Sequence, residues 1–550
     1  MKIELLLLGA SVLIFSGILF GKVGNKFGIP ALLLFLITGM LFGEDGVGIR
    51  FQSMHTAQYV GTVALTIILF TGGMGTHISG IRPILKEGLM LSTVGVILTT
   101  FFTGLFIYWI TGQLFSSLTF SLPLSFLLAA TMSSTDSASV FAILRSQNIQ
   151  LKQNLKPVLE LESGSNDPMA YMLTTALIGY ISLSDANVDA LQIGFQFTTQ
   201  FLVGGLLGFV MGYLSVWILN HLRIHNDELY PITLLCLVLA TYSITAILKG
   251  NGFLAVYIMG LIVGNKRIEK NRTIHSFFDG ITWLLQIILF ILLGLLVNPH
   301  EMIHIAVPAL TIGLLMMFVA RPAAVFLSLL PLRKLSQKAR LFISWVGLRG
   351  AAPILFATYP YIHTVPNSEH IFNIVFFVTI LSLIFQGMTI KPLAVKLGLA
   401  QPAPAEGFFI GVEIPEETGT QMEERIITER MLQKGNKLKE LEIEKDELII
   451  LVNRKSHYII PKGDLRLHVN DVLLIVSPKT VDTPTNFKQI TENNLINRIK
   501  RSLNQYTSTK DTSKEPIPIS VSQLSKKAKA VEERQQYDKP LQPENSYKPE

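Results

Sequence analysis

The stretch Leu161-Glu-Ser-Gly-Ser-Asn-Asp-Pro-Met169 places two acids, an amide and a proline inside an apolar run over residues 155–182. Such a run predicts a membrane-spanning helix, because crossing the hydrocarbon core takes about 20 mostly apolar residues. Ionisable groups at bilayer depth are costly, so they usually mark a functional site. Pro168 weakens the helix locally, since it has no backbone N–H to donate.

The composition of the whole chain agrees with a membrane protein. Its 550 residues carry 15% charge with a mean hydropathy of +0.45, whereas a soluble chain carries about 25% charge. Apolar runs with short polar gaps end near residue 398, and the remainder is highly charged. We therefore predict a transmembrane domain at 1–398, a linker at 399–422, a small α+β domain at 423–480 and a disordered basic tail at 481–550.

Two further features exclude other classes of protein. The net charge of +7 does not indicate a nucleic-acid partner, because much of the excess lies in short loops between apolar runs. The single cysteine, Cys236, rules out a disulfide framework.

The N-terminus has Lys2 and then an apolar run without a small-residue cleavage site, so we expect a retained first helix.

Charge in the loops orients the apolar runs. Every second loop is basic, beginning with the loop that carries Lys22 and Lys26, while the loops between them are mostly acidic. This alternation follows the positive-inside rule and predicts an inner-membrane protein in contact with lipid, with its N-terminus outside and its C-terminus in the cytoplasm. The candidate spans are thirteen: 3–21, 29–43, 57–79, 87–111, 122–146, 155–182, 193–220, 229–249, 252–265, 275–297, 303–331, 340–360 and 370–396.

Charged residues in four of these spans fall at a common depth. Counted from the predicted cytoplasmic ends, at about 1.5 Å of rise per residue, all of them lie roughly 10–18 Å into the membrane. The residues are Asp136 in the fifth span, Glu162 and Asp167 in the sixth, Arg321 in the eleventh and Arg349 in the twelfth. One hydrated midplane site would account for this layer.

The residue types around these charges suit a monovalent cation. Carboxylate, hydroxyl and carbonyl oxygens are the ligands that hard cations prefer. Asp136, Asp167, Ser163 and the region of Thr135 supply them. Ser163 and Asp167 are i,i+4 neighbours, as are Glu162 and Asn166, so the two pairs are adjacent on the helix surface.

Two of the spans are interrupted. Ser133-Ser-Thr-Asp-Ser137 breaks the fifth, and Gly347-Leu-Arg-Gly350 breaks the twelfth. Interrupted helices at corresponding places in two halves of a chain point to a midplane binding site. If spans 1–6 and 8–13 are inverted repeats, the fifth and twelfth are equivalent.

Together, Thr135-Asp136, Glu162-Ser163-x-x-Asn166-Asp167 and Gly347–Gly350 resemble the motifs of the monovalent cation:proton antiporter 1 family, the NhaP-like group. The stretch 161–169 is more similar still to bacterial potassium/proton antiporters, some of which carry an RCK C-terminal (TrkA-C-like) domain. Residues 423–478 resemble that domain through Ile459-Ile-Pro-Lys-Gly-Asp464 and Asn470-Asp-Val-Leu-Leu474.

The resemblance implies a fold and a role for each site residue. The fold is all-α with inverted repeats and two crossing broken helices, assembled as a homodimer. Asp167 and Asp136 would bind cation and proton in turn, with Thr135 (by its carbonyl) and Ser163 completing the oxygen shell. Glu162 would pair with Arg349, and Arg321 matches a weaker Arg-Pro feature of the family.

The resemblance also bears on stoichiometry and ion choice. Asn166 stands where electrogenic relatives have a second aspartate, so exchange of one proton for one cation is expected. Gly164-Ser165 replaces the bulkier residues that many sodium exchangers have, and this difference leaves the preference for potassium or sodium open. Burial and a like-charged neighbour would let protons compete with the cation for the carboxylates.

Two other classes of membrane protein find no supporting motif in the sequence. A ligand-gated cation channel would need a selectivity-filter signature, which the sequence lacks. A membrane enzyme would need a nucleophile–base pair, a metal-ligand pattern or a phosphate loop, none of which is apparent. No cofactor is expected apart from a regulatory nucleotide at 423–480, for which a dimer-stabilising scaffold is the alternative.

Overall fold

The computed structural model describes residues 3–27, 30–115, 118–146, 149–182, 190–222, 226–268, 270–332, 334–402, 420–427, 431–432, 435–441, 447–454, 457–469 and 471–478. The chain divides into two compact units, Met1–Ala403 and Pro404–Glu550. Most of the predicted linker and all of the predicted basic tail lie outside the described residues.

The first unit is helical. Its described residues form, in chain order, the α-helices α1 (Ile3–Phe27), α2 (Ala31–Phe42), α3 (Met54–Met74), α4 (Ile78–Ile81), α5 (Leu85–Met90), α6 (Val96–Gln113), α7 (Leu122–Thr131), α8 (Ser137–Ser146) and α9 (Leu155–Ser182). They continue with α10 (Ala190–His221), α11 (Leu229–Ile247), α12 (Gly252–Gly264), α13 (Asn271–Leu295), α14 (Pro299–Leu315), α15 (Arg321–Ser328), α16 (Gln337–Trp345), α17 (Ala351–Ile362) and α18 (Ser368–Lys396).

The lengths of these helices confirm a multi-pass membrane domain. Among the described residues, 7 helices are long and apolar enough to cross a membrane, and further apolar helices of 10–17 residues accompany them. Two of the long helices contain a π-helical turn. Leu91–Gly95 joins α5 to α6, and Met316–Ala320 joins α14 to α15. The predicted number of thirteen crossings stays a prediction.

Glycines bring neighbouring helices into close contact. A Cβ added at Gly260 of α12 would lie 2.2 Å from the carbonyl oxygen of Phe70 in α3. A Cβ added at Gly39 of α2 would lie 2.2 Å from the carbonyl oxygen of Ile291 in α13. Larger side chains would force these helices apart, so the sequence fixes their spacing through its small residues.

The two predicted interruptions are present and meet each other. The backbone leaves the helix between α7 and α8, over residues 132–136, and between α16 and α17, over 346–350. The backbone N–H of Asp136 donates a hydrogen bond of 2.8 Å to the carbonyl oxygen of Leu348. The two broken helices therefore cross at their breaks.

The first unit also contains a short two-stranded sheet. Strand β1 (Ile149–Leu151), between α8 and α9, pairs antiparallel with β2 (Ala400–Pro402), which follows α18. The sequence predicted the beginning of a linker at residue 399. That boundary needs correction here, because Ala400–Pro402 belong to a paired strand in the first unit.

The second unit contains a four-stranded antiparallel sheet. Its strands β3 (Thr420–Ile426), β4 (Leu448–Arg454), β5 (His457–Ile459) and β6 (Val472–Pro478) have the order β3-β6-β4-β5. Strands β4, β5 and β6 lie within the domain that the sequence predicted at 423–480, and β3 begins three residues before it. The described helical structure of this unit is one 3-10 turn, Leu438–Glu440. The helical part of the predicted α+β domain therefore stays a prediction.

Candidate functional site

The crossing of the two breaks is held by Arg349, which lies in the second of them. Its guanidinium Nη1 donates to the carbonyl oxygens of Ser133 and Ser134, at 3.3 and 2.5 Å. These carbonyls have left the helical ladder, and in a membrane they need a protein donor. Arg349 is only 2% exposed. The side chain of Arg349 therefore supplies hydrogen bonds to the free carbonyl groups of the first break, while its backbone belongs to the second break.

Ser163 joins α9 to the same break. Its hydroxyl donates to the carbonyl oxygen of Thr135 at 2.9 Å and accepts from the backbone N–H of Ser137 at 3.0 Å. One turn further along α9, the amide Nδ2 of Asn166 donates to the Thr135 hydroxyl at 2.5 Å. The predicted ligands Thr135 and Ser163 are therefore in direct contact, with Asn166 beside them.

Asp167 faces the break from α9. It is 9% exposed, and its Oδ1 accepts a hydrogen bond from the hydroxyl of Ser134. Asp136 lies in the same break, two residues after Ser134. The structure thus brings together the two carboxylates that the sequence placed in one layer.

Asp136 lies in the first break, beside the N-termini of α8 and α17. It precedes α8 and caps it, because its Oδ1 accepts from the backbone N–H of Ser139 at 3.3 Å and its Oδ2 from the Ser139 hydroxyl. The N-terminus of α17 also faces it, since a Cβ added at Gly350 would lie 2.6 Å from Asp136 Oδ2. The partial positive charges of two helix N-termini thus point toward this carboxylate.

The buried ion pair of the site differs from the expected one. The resemblance implied that Glu162 pairs with Arg349. In the structure Glu162 Oε1 pairs with Nη2 of Arg321, and these side chains are 1% and 2% exposed. The physical reason is that the guanidinium of Arg349 is engaged by the carbonyls of the first break. Arg321, the weaker feature in the sequence, is therefore the bridging residue between α15 and α9.

Sequence reasoning missed a second polar network beneath the second break. The backbone N–H of Arg349 donates to the hydroxyl of Ser382 at 3.1 Å, and that hydroxyl donates to Oε1 of Gln386 at 2.5 Å. Nε2 of Gln386 then donates to the carbonyl oxygen of Trp345, the last residue of α16, at 2.7 Å. Two polar residues at i,i+4 spacing in the apolar run of α18 were the available signal.

Ser134 and Ser139 were also missed as individual partners. Each donates its hydroxyl to one of the two aspartates. Ser134 belonged to the predicted polar interruption, and Ser139 lies three residues after Asp136, the spacing of a helix cap. The interruption was recognised as a segment, but the pairing of Ser134 with Asp167 depends on how α9 packs against it.

A buried and a partly buried aspartate at the crossing of two broken helices, braced by two arginines, define a secondary transporter for small cations. The comparisons with known proteins agree. Residues 10–396 match the family described as sodium/hydrogen exchanger, transmembrane. The chain belongs to this family. It is therefore a cation/proton antiporter and not an enzyme.

Individual relatives are similar over most of the chain. The K(+)/H(+) antiporter NhaP of Alkalimonas amylolytica is 42% identical, over 73% of this chain and 68% of its own length. The K(+)/H(+) antiporter NhaP2 of Shewanella baltica (strain OS223) is 36% identical, over 88% of this chain and 82% of its own. The Na(+)/H(+) antiporter 1 of Methanocaldococcus jannaschii is 27% identical, over 64% of this chain and 83% of its own.

A solved structure shares the fold. It is the structure of the sodium proton antiporter MjNhaP1 from Methanocaldococcus jannaschii at pH 8, with a TM-score of 0.63 and 23% identity. The match covers 72% of this chain and 99% of the other. At this identity the likeness concerns the arrangement of helices alone.

Proposed function

We propose that this chain exchanges cytoplasmic K⁺ for H⁺, one for one, by alternating access at a site formed by Asp136 and Asp167. The observation that carries the proposal is the position of Asp167. This buried carboxylate lies at the crossing of two broken helices, among the hydroxyl and carbonyl oxygens of Ser134, Thr135 and Ser163.

The proposed exchange depends on competition for these oxygens. A dehydrated monovalent cation takes carboxylate oxygens of Asp167 and Asp136, the carbonyl oxygen of Thr135 and the hydroxyl of Ser163. The Thr135 carbonyl accepts one hydrogen bond from Ser163 and retains a second lone pair for a cation. A proton on Asp167 removes the charge that holds the cation. Cation and proton therefore occupy the site in turn, and reorientation of the loaded site carries each across the membrane.

The presence of a neutral Asn166 next to Asp167 supports the one-for-one stoichiometry. Asn166 is buried and donates to Thr135 at 2.5 Å, so it braces the break without carrying a titratable charge. The charge of Glu162 is compensated by Arg321 in the buried ion pair. The carboxylate charge left for exchange is then that of Asp167 and Asp136, which titrate as a coupled pair.

Inverted repeats are part of the proposal. The broken helices α7/α8 and α16/α17 belong to the fifth and twelfth predicted spans, which would be equivalent in two repeats of six spans. The π-helical turns Leu91–Gly95 and Met316–Ala320 support the same relation, since they fall in the fourth and eleventh spans. Thirteen crossings would put the N-terminus outside and the C-terminus in the cytoplasm, as the basic loops favour.

We also propose that residues 423–480 of the second unit form an RCK C-terminal domain that regulates transport and that the protein is a homodimer. The antiparallel sheet β3-β6-β4-β5 supports the first point. Binding of a nucleotide and stabilisation of a dimer are the two roles to be separated, and the oligomeric state of the purified protein with and without residues 404–550 separates them.

Potassium is favoured over sodium by the relatives named K(+)/H(+) antiporter, while the relative from Methanocaldococcus jannaschii is named for sodium. Purified protein in vesicles with an imposed proton gradient tests the choice. Addition of K⁺ should dissipate the gradient more effectively than Na⁺ or Li⁺, without net current. A cation-dependent current without proton movement would instead indicate a channel, and gradient loss with Na⁺ alone would indicate a sodium exchanger.

A further inference from the structure

Tyr257 lies at a junction of three helices, close to the site but outside the residues described above. It belongs to α12 and is 3% exposed. Its backbone is fixed against α3, because a Cβ added at Gly73 would lie 2.4 Å from the Tyr257 carbonyl oxygen. The Tyr257 side chain thus projects from a rigid position toward α9.

The ring of Tyr257 covers Gly164 in the middle of the α9 motif. A Cβ added at Gly164 would lie 2.3 Å from Cε2, 2.7 Å from Cζ and 2.9 Å from the hydroxyl oxygen of Tyr257. Residues at i−4 and i+3 share a helix face with Gly164. These residues are Glu160 and Asp167, so the hydroxyl end of Tyr257 rests on the face of α9 that carries both acids.

The direction of α12 shows on which side of Asp167 the tyrosine lies. Asn251, which precedes α12, donates from Nδ2 to the carbonyl oxygen of Pro168 at 2.8 Å. Six residues later Tyr257 reaches Gly164, so α12 runs antiparallel to α9. Tyr257 therefore lies between Asp167 and the end of α9 that carries Lys156.

Exposure falls along this face of α9 toward the site. The side chains of Lys156 and Glu160, 3.7 Å apart, are 64% and 28% exposed, whereas Asp167 is 9% exposed. The Tyr257 ring therefore covers this face of α9 between Glu160 and Asp167.

The hydroxyl of Tyr257 is buried. Ser165 and Glu160 are the polar residues of α9 that face it. A buried hydroxyl is unfavourable unless it meets polar partners. A phenylalanine would fill the same space without a polar atom, whereas the hydroxyl oxygen has two lone pairs and can accept a ligand beside Ser165 and Glu160.

We propose that Tyr257 is a specificity-determining residue of the exchanger, and that its hydroxyl is an oxygen ligand for the partly dehydrated monovalent cation as it passes from Glu160 to Asp167. Gly164 provides the room for the ring. The inference rests on the proposed function. A single neutral oxygen suits K⁺ better than Na⁺, because K⁺ gives up its water at lower cost.

The test measures cation-dependent proton movement in vesicles for the full chain and for Tyr257→Phe, with K⁺ and Na⁺ varied separately. Loss of one neutral ligand should raise the K⁺ concentration for half-maximal exchange about 3- to 10-fold, more than that for Na⁺, with little change in the maximal rate. Tyr230→Phe is the matched control. Tyr230 is also 3% exposed, but its hydroxyl donates to the carbonyl oxygen of Leu222 at 3.0 Å.

A second pair of variants tests the steric part. Gly164→Ala should displace the ring and lower exchange, and Tyr257→Leu in the same chain should recover part of it. The proposal is overturned if Tyr257→Phe keeps both the half-maximal K⁺ concentration and the preference for K⁺ of the wild type. It is equally overturned if Gly164→Ala leaves exchange unchanged. Absence of exchange in wild-type vesicles would instead refute the proposed function itself.

Discussion

The backbone N–H of Asp136 donates a hydrogen bond of 2.8 Å to the carbonyl oxygen of Leu348, and this contact joins the two broken helices at their breaks. It also fixes the Asp136 carboxylate beside Gly350, with a separation that leaves no space for a Cβ. Any change in the angle of the two helices must therefore move a site carboxylate. The crossing is a structural support and is also part of the proposed binding site.

Gly350→Ala tests this coupling. The added methyl group would lie 2.6 Å from Asp136 Oδ2, so we expect a strong loss of exchange while the protein still inserts and purifies. Vesicle transport and size-exclusion chromatography measure the two properties. Gly72→Ala is the control, because a Cβ at Gly72 meets nothing within 4 Å. Equal activity of the two variants would show that Asp136 tolerates displacement.

The Glu162–Arg321 ion pair should act as a structural brace. Both partners are buried, so removing one leaves an uncompensated charge and costs about 3–5 kcal/mol. We expect Glu162→Gln to lower the thermal stability of the detergent-purified protein strongly. Combining it with Arg321→Met should restore much of that stability, since a buried pair can be replaced by apolar groups at small cost.

A double-mutant cycle with Arg349→Met distinguishes the observed pairing from the one that the family resemblance implied. The coupling energy with Glu162 should be larger for Arg321 than for Arg349. A larger coupling between Glu162 and Arg349 would contradict the pairing in the structure.

The second unit has its own pH-dependent contact. Burial tends to raise the pKa of Asp471, but hydrogen bonds from the Arg454 guanidinium, at 2.7 Å from Nη2, and from the backbone N–H of His468 outweigh it and leave the pKa below its usual range. A depressed pKa means that the stabilisation is present above about pH 4 and is lost as pH falls through the lowered value.

We therefore expect Asp471→Asn to loosen strand β6 at neutral pH and to have little effect once the wild-type carboxyl is protonated. Hydrogen exchange of peptides covering 472–478 in the full chain, followed across pH, measures this. Asp464→Asn is the control, because Asp464 is exposed. A pH-independent difference between Asp471→Asn and the wild type would contradict the assignment.

The sequence predicted the features that depend on local composition. Apolar runs predicted a multi-pass membrane domain, and the polar stretches at 133–137 and 347–350 predicted where two helices break. Buried acids in an apolar run predicted Asp136 and Asp167 as neighbours in one layer. Each of these features follows from the cost of placing polar groups in hydrocarbon.

The pairings between distant segments could not be predicted in the same way. The partner of Glu162 depends on which guanidinium is already engaged, and Arg349 is engaged by carbonyls that become available only when the two breaks cross. The pairing of β1 with β2 joins residues about 250 positions apart and leaves almost no local pattern. Tyr257 appeared as one aromatic residue in an apolar run until packing placed it over Gly164.

The most direct test of the account is cation-dependent proton movement in vesicles containing Asp167→Asn, measured with K⁺, Na⁺, Li⁺ and Rb⁺ across pH. Asparagine keeps the shape of the side chain and can still contact Ser134, but it cannot exchange a proton. Asp227→Asn serves as the control, since Asp227 forms an exposed ion pair with Lys270. We predict that Asp167→Asn abolishes exchange with every cation at every pH, while Asp227→Asn retains it. Full exchange by Asp167→Asn would contradict the assignment of Asp167 as the shared binding site of cation and proton.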